Sequence, residues 1–228
     1  MNEIVPEFNN SLVIDSSDIV GDYLELGIDS ILENDNLREI PIVKTFLSVG
    51  RITKNIRERN LIKNLIIFLN ELNSGNVDKE KLQNHKQQLN QNPKKAEKEL
   101  GRILIILEQT IDNIKSSILG KLYKSYINQE IEWDLFVEFS EITNRIYIND
   151  LNILLLIYNN RLSDTSSRSD LYRIERLNSL GVIGLAPKAI YIGNGNSRQD
   201  SYITLNRIGK IYSDIIFRKE KSDYDINK

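Results

Sequence analysis

Between Asp150 and Phe217 the spacing of apolar residues changes period twice, and that change limits the folds open to the chain. Ile153, Leu154, Leu155 and Ile157 predict a helix, with Asn149 or Asp150 placed to cap it. Asn159 and Asn160 then lead into LSDTSSRSD, a run of cap and turn formers. A second helix is predicted from about Asp170 to Leu180, with Leu171, Ile174, Leu177 and Leu180 on its buried side and Gly181 at its C-terminal turn. IGLAPKAIYIG has strand character, GNGNSRQD reads as a turn, and SYITLNRIGKIYSDII gives a short strand and a last helix. Ile203 and Leu205 share a strand face, and Ile208, Ile211, Ile215 and Ile216 are placed to pack the last helix over it.

The order is helix, loop, helix, strand, turn, strand, helix. LNSLGVIGL followed by YITLNRIGKIYSDII resembles the helix-to-wing and wing-to-last-helix joins of winged-helix domains, over roughly residues 150–217. That resemblance implies DNA binding, with a helix in the major groove and a wing against the backbone. Arg168, Arg173 and Arg176 would be groove or phosphate contacts, and Lys188 and Arg198 wing contacts. Winged helices also serve as protein-interaction modules. Charge favours the nucleic acid: residues 151–219 hold ten Lys/Arg and five Asp/Glu, a balance of +5, in a chain of net charge -2, so the remainder carries -7. GNGNS is no phosphate loop, because it lacks the terminal Gly-Lys-Ser/Thr and precedes a strand.

The rest of the chain reads as helix. Residues 1–17 are expected as a loose arm, 18–148 as a helical body, 149–217 as the winged-helix-like domain and 218–228 as a flexible tail. The fold class is mainly α, with a small C-terminal α+β domain. A pair of short helices is predicted from Asp18. In the amphipathic segment 40–72, Pro41 starts a helix and Ile56, Leu61, Ile62, Leu65, Ile66 and Leu69 recur at helical spacing beside Arg57, Arg59 and Lys63. This is either a core helix or a membrane-surface helix, and the acids before it favour the core. Residues 77–92 read as an exposed short helix or a partly disordered connection, and the single histidine, His85, as a surface residue. A long helix is predicted from about Lys94 to Tyr126, packed on the helix near residues 53–72, with Gly101 and Gly120 allowing close approach. A coiled-coil homodimer is the alternative. Trp133 is read as a packing anchor on a helix whose apolar face is Leu135, Phe136, Phe139, Ile142 and Ile146.

Three pieces carry a wider resemblance: the run from Glu25 to Leu72, LGRILIILEQTIDNIKSSILGKLYKSYI, and YITLNRIGKIYSDII. They resemble a group of bacterial abortive-infection and phage-associated helical proteins. The resemblance implies a role in phage defence through nucleic acid, a protein partner or membrane perturbation. No cysteine is present, which excludes disulfides and thiolate chemistry and fits a cytoplasmic setting. Glu130, Glu132, Asp134, Glu138 and Glu141 follow no ligand pattern, and no catalytic residue, metal or cofactor is assigned. The expectation is therefore a non-enzymatic interaction or regulatory protein with DNA or a defence protein as partner. The alternatives are a membrane-active effector using residues 40–72, with peripheral membrane contact, and an enzyme with an unrecognised acidic site.

Overall fold

A computed structural model of the chain describes residues 4–14, 33–48, 55–75, 77–166, 171–188 and 200–218. The expected short helices from Asp18 lie largely outside them, as does nearly all of the expected tail. The chain is mainly helical, with one small antiparallel sheet near its C-terminus. It forms two units, the first ending at Asn144 and the second beginning at Arg145.

The described part of the first unit contains α1 (Ile4–Asn10), α2 (Asp35–Arg38), α3 (Pro41–Ser48), α4 (Ile56–Asn73), α5 (Lys79–Gln91), α6 (Pro93–Gln109), α7 (Asn113–Ile127) and α8 (Trp133–Arg145). α4 is its centre. Leu61, Ile62, Leu65, Ile66, Phe68, Leu69 and Leu72 are all buried, so this face from Leu61 onward belongs to the core, while Ile56, expected on the same face, is exposed at the helix start. Each such side chain contributes about 1.5–3 kcal/mol relative to exposure. α4 packs most extensively on α7 and next on α6, while Phe8 of α1 meets Phe68 at 5.9 Å between ring centres. A Cβ on Gly120 would stand 2.8 Å from Cβ of Glu71 and 2.9 Å from the Phe68 carbonyl oxygen, so α7 approaches α4 closely there. Trp133 anchors packing as expected, stacked on Phe136 with ring centres 5.0 Å apart.

The long helix expected over residues 94–126 is two helices. α6 stops at Gln109 because side chains of α4 capture its last carbonyls. Asn64 donates to the Leu107 oxygen at 2.9 Å and to the Thr110 oxygen at 2.7 Å, and Asn60 donates to the Thr110 oxygen at 2.6 Å. Those oxygens are then satisfied without a further helical turn. Thr110 is extended, and α7 restarts after Asp112. Ile111 and Ile114, expected on the apolar stripe, are exposed at this break.

Residues 79–91 form a regular helix, capped at Asp78, that buries Leu82, His85 and Leu89. The surface placement expected for His85 is therefore corrected: its side chain is only 10% exposed. Nε2 lies 2.8 Å from Oε1 of Glu99 and 3.1 Å from the Tyr123 hydroxyl, which itself donates to Glu99 at 3.2 Å. A polar histidine is tolerated inside because its partners come from α6 and α7.

The second unit holds α9 (Ile148–Tyr158), α10 (Leu171–Ser179), β1 (Ile183–Pro187), β2 (Ser201–Leu205) and α11 (Arg207–Ile216). β1 and β2 pair antiparallel, with Ile183 opposite Leu205 and Leu185 opposite Ile203. The segment read as a turn before α10 adds a short third edge. The Thr165 amide donates to the Ser201 oxygen at 3.0 Å, and the Ile203 amide to the Ser163 oxygen at 2.8 Å. Gly181 ends the α10 turn at φ 73, as a glycine can. Asn206 caps α11, accepting from the Gly209 amide at 2.8 Å, and ties it back through a 2.6 Å bond to the Gly181 oxygen. The buried line of α11 differs from the one expected. Gly209, Tyr212, Ser213, Ile215 and Ile216 are inside, while Ile208 and Ile211 are half-buried. Gly209 has to be inside: a Cβ there would lie 1.6 Å from the Val182 carbonyl oxygen.

Candidate nucleic-acid interface

Neither Asn149 nor Asp150, the residues expected to cap α9, stands at its cap position. The helix begins at Ile148 with Tyr147 at the cap position, and Asp150 lies inside the first turn with no exposed surface. A buried carboxylate needs a paired, hydrogen-bonded cation. α10 supplies it through Arg176. Nε donates to Oδ2 of Asp150 at 2.8 Å, and Nη2 donates to Oδ1 at 2.6 Å. This bidentate pair raises the pKa of Arg176 further above its ordinary value.

The pair fixes a larger assembly. The central carbon of the Arg176 guanidinium lies 4.5 Å from the Tyr147 ring centre and 5.0 Å from that of Tyr172. Tyr172 and Arg176 are four apart on α10 and share a face. Arg173 joins them, donating from Nε to the Tyr172 hydroxyl at 3.1 Å with its carbon 5.6 Å from the ring centre. Tyr147 is nevertheless 62% exposed and Tyr172 51% exposed, and Leu171, expected on the buried side of the helix, is exposed beside them. α10 buries Ile174 and Leu177 and turns an aromatic and cationic face outward.

Lys188 forms a different cluster just after β1. Its Nζ donates to Oδ2 of Asp164 at 2.6 Å and stands 4.9 Å over the exposed Tyr202 ring. The bond from Lys188, with a second from the Ser166 hydroxyl, holds the Asp164 carboxyl well below its ordinary range and raises the Lys188 pKa. Of the five basic residues singled out in the sequence, Arg173 and Arg176 come together around Tyr172, and Lys188 is engaged with Asp164. Arg168 and Arg198 lie outside the described residues.

Tyr147, Tyr172 and Tyr202 were not foreseen at this surface, nor was Asp150 as the buried anchor of Arg176. One signal was available: Asp150 is an acid opening the apolar run LNILLLIY, and an acid on a helix that must be buried calls for an arginine elsewhere. The exposure of the tyrosines left no mark in the sequence.

The first unit offers its own polar groups. Glu99, His85 and Tyr123 are sealed among aromatic rings, and burial pushes the Tyr123 hydroxyl well above its ordinary pKa, with the nearby Glu99 adding to the shift. Arg102 meets Glu141 at 3.1 Å in an open groove of about 490 Å³ that also takes in Lys98 and Ile105. Among the described residues no group of three or more His, Cys, Asp or Glu is placed to hold a metal ion, and no helix is long and apolar enough to cross a membrane. No family model, curated protein or solved structure matches the chain.

Proposed function

We propose that this chain is a non-enzymatic interaction protein of bacterial phage defence, acting in the cytoplasm, whose C-terminal unit binds DNA. The observation that carries the DNA part is the outward face of α10. It gathers Arg173 and Arg176 with two exposed tyrosines on the unit that concentrates the positive charge of an otherwise acidic chain. Charge of that sign attracts a phosphate backbone, and the acidic remainder limits indiscriminate attachment elsewhere. The helix, sheet and helix arrangement of the unit supports a winged-helix-like reading, with 163–165 as the short strand before α10. Phage defence rests on the resemblance of the helical segments quoted above.

The polar groups favour binding over catalysis. His85, Glu99 and Tyr123 are buried and bonded to one another, which favours a packing role over a substrate site. α4 buries the face that a membrane-active role would have to release.

The test is titration of the folded chain with duplex and single-stranded DNA at two salt concentrations. Saturable binding that weakens with salt is expected, and Arg173→Gln should lower affinity and reduce the salt slope by about 1. Absence of saturable binding to either form contradicts the DNA reading.

A further inference from the structure

We infer that the face built by Tyr147, Tyr172 and Arg176 takes unpaired bases, so that the C-terminal unit holds single-stranded DNA. The inference rests on the DNA-binding reading and adds the strand state and the contacts. Arginine reads a duplex groove by offering two parallel donors to a base edge. Arg176 has its side-on edge, Nε and one N–H of Nη2, engaged by Asp150, which leaves the second Nη2 N–H and Nη1 on its end-on edge. Beside those donors the surface presents two exposed rings, which a contact to a base edge in a groove would leave unused. Tyr147 and Tyr172 approach one guanidinium within cation–π range, and both keep more than half of their surface in solvent.

Bases in a duplex are already stacked on each other and show only their edges in the grooves. Unpaired bases show their faces, and these stack on exposed aromatic rings with little regard to sequence. The platform is assembled before a ligand arrives: a buried carboxylate fixes the guanidinium, and the guanidinium holds the rings. Less rotamer freedom is then lost on binding. Charge complementarity selects the occupant. The +5 balance of residues 151–219 draws a polyanion, and the -7 of the remainder repels it. An acidic protein segment answers the charge but leaves the ring faces without a matching stack.

The experiment uses the full chain with a fluorescein-labelled thymidine homopolymer, a mixed-sequence duplex and a uridine homopolymer as separate arms. The thymidine strand should bind tightest. Tyr147→Ala and Tyr172→Ala should each weaken it about tenfold, and the corresponding Phe variants should retain it, because stacking needs the ring and not the hydroxyl. Circular dichroism checks that each variant is folded, and the exposure of both rings makes that the expected result. Duplex binding equal to or tighter than single-strand binding overturns the inference and leaves the DNA-binding reading standing. Indifference of the thymidine strand to both Ala variants does the same, and leaves the face to a protein partner. Preference for the uridine strand overturns the choice of DNA. Failure of every arm removes the DNA-binding reading itself.

Discussion

Asp150 has no exposed surface, yet it decides where Arg176 points and, through it, where two tyrosine rings stand. Asp150→Asn keeps the size and removes the charge, leaving Arg176 with a poorer acceptor. Its thermal unfolding midpoint should fall below that of the unmodified chain, and an unchanged midpoint would deny the pair its structural role. In the first unit, Glu99→Ala removes the acceptor shared by His85 and Tyr123 and should cost about 1–3 kcal/mol in urea unfolding. The tyrosines there also give a pH limb. Burial, with the nearby Glu99 charge, pushes Tyr126 up to about 12 and drives Tyr123 upward too. The folded chain then keeps protons that the unfolded chain releases from about pH 10 upward. Stability is whole below that pH and should fall as pH rises toward 12, with Tyr126→Phe flattening part of the decline. Apolar burial was legible at Leu65 and Phe136 but not at Leu171 or Ile114, which helical spacing placed inside and the structure leaves exposed. The burial of His85 and Asp150 was not legible, because a buried polar group depends on partners from other helices: Glu99 and Tyr123 for one, Arg176 for the other.

At the level of elements, three glycines separate helix propensity from packing. A Cβ on Gly101 meets nothing closer than 3.8 Å, so Gly101→Ala should stabilise the chain by up to about 1 kcal/mol through propensity alone. Gly120→Ala gains the same propensity but drives a methyl group into α4 at 2.8 Å, so a net loss is expected, with overpacking costing about 1–3 kcal/mol. At Gly209 the obstruction is the Val182 backbone. Gly209→Ala should therefore unfold the C-terminal unit while α4 and α7 stay protected from hydrogen exchange. Most helices and both strands were readable from period and punctuation, but α1 was not: residues 1–17 read as a loose arm, and Ile4–Asn10 is a helix that buries Val5 and Phe8. The break between α6 and α7 was not readable either, because Asn60 and Asn64 make it from α4 and the local residues 94–126 keep a helical stripe across it. The third sheet edge was hidden for a similar reason: 163–165 consists of turn formers held by backbone bonds to Ser201 and Ile203.

For the whole molecule, the uneven division of charge was plain in the sequence, while the clustering of cations with exposed rings required the fold. Composition does not record which cations meet which acids: Arg176 meets Asp150 and Lys188 meets Asp164, while the ring surface around Tyr147 and Tyr172 stays in solvent. A chain with an acidic body and a basic C-terminal unit should bind DNA through the unit and depend strongly on salt. Fluorescence anisotropy of a labelled single-stranded DNA, titrated with the full chain at about 50 and about 200 mM salt, tests this most directly. Saturable binding at the lower salt is expected, weakening steeply at the higher and further in Arg173→Gln. A flat titration at both salts, from protein that circular dichroism shows to be helical, would contradict it.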